Sequence, residues 1–63
     1  MKAYYDKDKE EHKFKSTNVK DMLKELKILK NTVVVSVDGE LVTEDYKIKE
    51  KDKIKILSVV SGG

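Results

Sequence analysis

The sequence predicts a two-layer α+β domain, with one helix laid across a sheet of four to five strands. Three observations carry that expectation. Apolar residues fall on a helical stripe at one place, Val19, Met22, Leu23 and Leu26, the i, i+3, i+4, i+7 spacing of an amphipathic helix. Alternating or β-branched runs lie on both sides of it, Met1 to Lys15 and Thr32 to Val60. The chain has 63 residues, enough for one compact core and too few for a second. A lone helix with a single apolar stripe has to bury it against one face of a sheet. The domain is expected to span residues 1–60, followed by a flexible tail, 61–63.

Each element follows from its residues in order. Met1, Ala3 and Tyr5 alternate with Lys2, Tyr4 and Asp6, the period of a strand. Asp6-Lys7-Asp8-Lys9-Glu10 is entirely charged and reads as a turn. Glu11 to Lys15 alternates again, with His12 and Phe14 on one side, closing a first hairpin. Ser16-Thr17-Asn18 is a cluster of helix N-cap formers. Asp21 lies near the helix start and Lys24, Lys27 and Lys30 near its end, both favourable to the macrodipole. Ile28 would leave the stripe if the helix continued, so helical order should stop near Lys27. Ile28 or Leu29 should then turn inward, with Asn31 as the left-handed exit residue. Thr32 to Val37 is a β-branched strand, and Asp38-Gly39 is the strongest hairpin signal in the chain. Glu40-Leu41-Val42 returns, Thr43 to Asp52 is a polar loop anchored by Tyr46 and Ile48, and Lys53 to Val60 is the last strand.

Composition removes most chemistry. Apolar residues make up 38% of the chain, enough for a core and too many for a disordered segment. With no cysteine there is no disulfide, thiolate metal site or cysteine nucleophile. The longest wholly apolar run is Val33-Val34-Val35, so neither a membrane-spanning helix nor a secretory leader is expected, and a cytoplasmic setting is. The 14 basic residues, all lysine, are interleaved with 12 acidic ones for a net charge of +2. Nucleic-acid binding is not expected, because a binder would carry a basic stripe and arginine forks. His12, on the inward parity beside Phe14, reads as a core-edge histidine rather than a catalytic one. No metal site is expected: a single histidine with scattered carboxylates is no zinc pattern, and in the Asp6–Glu10 turn interleaved lysines oppose a dication and no calcium-loop glycine follows. The chain is not expected to be an enzyme by itself.

The unusual feature is the terminus. At average glycine usage, two terminal glycines in succession arise by chance in about 0.5% of chains. Gly62 and Gly63 give a tail without Cβ atoms, able to thread a passage too narrow for side chains and ending in an unhindered carboxylate. The plain alternative is incidental fraying. The strand feeding the tail bears on the choice. Ile54, Ile56, Ser58 and Val60 face one way, while Lys53, Lys55, Leu57 and Val59 face the other. That outer row begins charged and turns apolar just before the tail, as a docking patch would. If Phe14 or Tyr4 covers the row, the patch disappears.

These residues resemble the ubiquitin-like sulfur carriers of the ThiS/MoaD type over essentially the full length. The likeness rests on Thr17-Asn18-Val19 leading to Leu23 and Leu26, and on Val35-Ser36-Val37-Asp38-Gly39-Glu40-Leu41-Val42. It continues through Lys51-Asp52-Lys53-Ile54 and ends on Ile56-Leu57-Ser58-Val59-Val60-Ser61-Gly62-Gly63. The length is closer to the thiamine-pathway carriers than to the molybdopterin-pathway ones. The resemblance implies a β-grasp fold with a mixed sheet. It further implies that Gly63 is the reacting terminus, Gly62 and Ser61 the slender spacer, and Leu57, Val59 and Val60 the docking residues. A ubiquitin-activating-type partner would adenylate the Gly63 carboxylate with ATP and magnesium. A sulfur donor would then leave a thiocarboxylate, for delivery to a sulfur-accepting synthase or a tRNA thiolase. The chain itself would bind no cofactor. Two alternatives stay open: a protein modifier joined through Gly63 to target lysines, and a β-grasp interaction module whose tail is incidental.

Overall fold

The computed structural model describes residues 1–59. Its order is β1 (Lys2–Tyr5), β2 (Glu10–Lys13), α1 (Val19–Glu25), a 3-10 turn (Lys30–Thr32), β3 (Val33–Val37), β4 (Glu40–Val42) and β5 (Ile54–Ser58). The five strands form one mixed sheet in the order β2-β1-β5-β3-β4. The final strand is thus central, parallel to β1 and antiparallel to β3. One face of the sheet carries α1, as expected for a two-layer α+β domain. The core comprises Val19, Met22 and Leu23 from the helix and Ala3, Val33, Val35, Val37, Ile54 and Ile56 from the strands, with Phe14 and Ile48.

Helix α1 is only seven residues long, so its ends decide whether it forms. At the N-terminus every first-turn donor has a partner. Asn18 is the cap that the Ser16–Asn18 cluster supplies, its Oδ1 accepting the Asp21 N–H at 2.7 Å. The Val19 and Lys20 N–H groups donate to the carbonyls of Tyr46 and Glu44. The loop expected over 43–52 therefore closes the helix start, with Ile48 buried beneath it and Tyr46 packed against the core. Tyr46 Oη donates to Asp52 Oδ2 at 2.9 Å, fastening the loop to itself and pushing the phenol pKa up.

The C-terminus corrects two expectations. Helical residues end at Glu25 rather than near Lys27, and the left-handed exit is Lys27 (φ 60°), not Asn31. The Ile28 N–H donates to the Leu23 carbonyl at 2.8 Å and the Lys27 N–H to the Lys24 carbonyl at 3.1 Å. This is the paired 6→1 and 5→2 pattern of a Schellman ending. It forces the exit residue to sit two places beyond the last helical one, and no Gly or Asn stands there to signal it. Ile28 then turns inward, while Leu29 stays 74% exposed.

The second hairpin forms as read, whereas in the first Glu10 joins the strand, paired with Tyr5, and β2 ends at Lys13, before Phe14 and Lys15. Asp38 and Gly39 both have positive φ, 52° and 87°, as a two-residue turn of this twist requires. Asp38 also accepts the Lys53 N–H through Oδ1 and donates its own N–H to the Lys53 carbonyl, pinning the entry to β5. His12 lies opposite Ala3 on the helix-bearing face, half-buried, with its ring edge toward Tyr5 at 6.1 Å and Nε2 at 2.7 Å from Asp8 Oδ2. That is the core-edge position expected of it.

Candidate functional site

β5 sits in mid-sheet between β1 and β3, and its C-terminal end is held on both sides. The Ser58 N–H donates to Asp6 Oδ1 at 3.0 Å, and the Val59 N–H to the Thr32 carbonyl at 3.0 Å. Val60, Ser61, Gly62 and Gly63 lie outside the described residues.

Among the described residues, the sheet face opposite α1 carries no helix. Strand alternation places Lys2 and Tyr4, Glu11 and Lys13, Lys55 and Leu57, Val34 and Ser36, and Leu41 upon it. Across this face Val34 stands opposite Leu57, and Ser36 is flanked by Leu41 on one side and Lys55 on the other. Leu57 is half-buried, and Val59, one residue past the strand, is 55% exposed. The covering that would have removed the patch does not occur through Phe14, which is buried in the core. Tyr4 does lie on the open face, in register with Lys55 and Glu11 rather than with Leu57.

Two further apolar residues belong to this face: Val34, which strand alternation sets on the side away from Val33, Val35 and Val37, and Leu41, whose face is not evident from the sequence alone. Leu41 is 70% exposed on edge strand β4, and Val34 is half-buried between it and Leu57 along the face. Turn geometry places Leu41. A two-residue turn at Asp38-Gly39 puts Glu40 opposite Val37, so Leu41 must oppose Ser36 on the face away from Val35 and Val37. The result is an aliphatic strip of Val34, Leu41 and Leu57 with Lys55 at its margin, close to exposed Val59 just past the end of β5.

The titrating groups that depart from ordinary values lie elsewhere and are scaffold. Glu25 closes the entry to α1: its carboxylate accepts the Ser16 hydroxyl at 2.7 Å and the Lys15 N–H at 2.9 Å. Those bonds, the Ser16 hydroxyl first, hold its pKa below the usual carboxylate value. Among the described residues no cluster of three His, Asp or Glu side chains could hold a metal ion. No helix among them is long and apolar enough to cross a membrane.

Among the described residues the site is thus a surface beside the end of β5, with no cluster of converging acids, bases or nucleophiles. Among curated proteins, no sequence matches the chain. The ThiS family model, by contrast, matches residues 2–63, from the first strand through Gly63. Proteins of that family are small carriers that work with an adenylating enzyme and sulfur acceptors. A β-grasp sheet with its last strand at the centre and a match over residues 2–63 together place this chain in the ThiS family of ubiquitin-like sulfur carriers.

Proposed function

We propose that the Gly63 carboxylate is the group that carries sulfur. A ubiquitin-activating-type partner, using ATP and magnesium, joins it to AMP and releases pyrophosphate. The step is needed because a carboxylate is a poor electrophile, whereas the mixed anhydride has a good leaving group. The terminal sulfur of a donor persulfide then attacks the acyl carbon, and AMP departs. A thiol cleaves the resulting S–S bond, leaving a thiocarboxylate on Gly63 and a disulfide on the donor side. The sulfur passes to a biosynthetic acceptor in thiamine, molybdopterin or tRNA thiolation. Gly62 and Ser61 serve as the narrow spacer that reaches the partner's site, and Leu57, Val59 and Val60 dock the carrier upon it.

The observation that carries this reading is the family match extending through Gly63. The aliphatic strip on the open sheet face supports it, since it offers a landing surface beside the strand that feeds the tail. ATP–pyrophosphate exchange with candidate activating enzymes tests the reading. Exchange that appears with the full chain and vanishes when Gly63 is deleted is the expected result. No exchange with any candidate, or exchange indifferent to Gly63, would overturn it. Gly-Gly remnants on the lysines of cellular proteins would instead assign the chain as a modifier.

A further inference from the structure

Beyond the open sheet face, a second apolar surface lies on the opposite, helix-bearing side. The Schellman ending turns Ile28 inward and leaves Leu29 at the crest, 74% exposed. Beside it runs a small groove of about 220 Å³ lined by Lys20, Leu23, Lys24, Ile28, Leu29 and Lys30. On the far side of Leu29 a second depression adds Lys7 and Lys27. The groove has an aliphatic floor and a lysine margin, the second depression is completed by Tyr5, Thr32 and Ser58, and among the described residues no carboxylate lines either. Lys30 pairs with Glu44 at 3.1 Å, and the other ion pair among the described residues joins His12 to Asp8. Lys7, Lys20, Lys24 and Lys27 take part in neither. In a chain whose net charge is only +2, this corner concentrates positive charge around one exposed leucine.

We propose that this corner docks an acidic peptide segment of a partner protein, one bulky apolar side chain seated against Leu23, Ile28 and Leu29 and flanked by Asp or Glu. Charge complementarity selects the acidic flanks, because the lysine margin attracts carboxylates and repels basic segments. The aliphatic floor selects a side chain over a nucleotide, since strand binding relies on aromatic stacking and arginine forks, and the chain has no arginine. The corner lies across the sheet from the Val34–Leu57 strip, so it can be occupied while an enzyme holds the open face. That allows a donor or acceptor protein to engage the carrier alongside its activator.

Selection of displayed random peptides on the full-length chain, followed by titration of the synthesised winners, tests the proposal. Winners are expected to carry an apolar residue between acidic ones. Their affinity should fall roughly tenfold in Leu29→Ser and in Lys24→Glu, and should weaken with added salt. Both changes are at exposed positions, and an unchanged melting midpoint verifies the fold. Leu29→Ser should also leave ATP–pyrophosphate exchange unchanged, which separates this surface from the terminus. Absence of acidic winners, or winners that bind Leu29→Ser as tightly as the parent chain, would overturn the proposal. So would a surface that takes single-stranded RNA or phosphatidylserine vesicles but no peptide.

Discussion

Lys27 is the residue whose role the structure makes plainest. A left-handed conformation costs an L-residue with a Cβ about 1–2 kcal/mol, and Lys27 adopts it (φ 60°) because the Schellman bonds demand it. Lys27→Gly should relieve that cost and, after the greater unfolded-state freedom of glycine, stabilise the domain by about 1 kcal/mol. In a domain of this size thermal denaturation would register a rise of roughly 4–8 °C, and a fall would contradict the assignment. Glu25 gives a second residue-scale prediction. Its folded pKa is lowered, so its contribution is complete above the unfolded carboxylate value and is lost as pH falls through the folded one. Glu25→Gln should therefore be less stable than the parent at neutral pH, and the gap should close on acidification. A gap that persists in acid would refute the role given to the Ser16 and Lys15 bonds. Neither residue announced itself beforehand. Asn31 carried the composition of a helix exit and Lys27 did not, and the Glu25 bonds span nine and ten residues of chain.

At the scale of elements, the apolar stripe was the most legible feature. Val19, Met22 and Leu23 are buried because their spacing allows nothing else on a helix facing a sheet. Leu23→Ala should cost about 2–5 kcal/mol, a large share of the stability of so small a domain. An unchanged urea midpoint would refute the stripe. Parity along β3 and β5 was equally legible, since Val33, Val35, Val37, Ile54 and Ile56 all point to the core. The partial miss was β4. Its three residues were read correctly as a return strand, yet Leu41 acquires meaning only once register with Ser36 is known, and register belongs to the hairpin rather than to the residue. The loop 43–52 shows the same limit: Tyr46 and Ile48 were identifiable as anchors, but not the closing of the helix N-terminus by the carbonyls of Glu44 and Tyr46.

For the whole molecule, strand order matters most. Placing β5 between β1 and β3 fixes the exit of the chain against a sheet held on both sides and sets the Val34, Leu41 and Leu57 strip beside it. Order is a long-range property that no local pattern encodes; the resemblance to ubiquitin-like carriers implied a β-grasp fold with a mixed sheet, and the order itself comes from the structure. If the strip is the landing surface for the activator, Leu41→Asp and Leu57→Asp should each raise the KM for the carrier about tenfold or more in ATP–pyrophosphate exchange. The kcat should change little, and the Leu41→Asp midpoint should stay close to that of the parent, because Leu41 is exposed. Loss confined to kcat would point to the tail rather than to docking. The central claim is the fate of the terminal carboxylate, and the intact mass of the chain isolated from its native cells under non-hydrolysing conditions tests it most directly. A fraction with one oxygen exchanged for sulfur, mapped by fragmentation to Gly63, is the predicted result; a terminus that remains an ordinary carboxylate even when activator, ATP and persulfide donor are supplied together would contradict it.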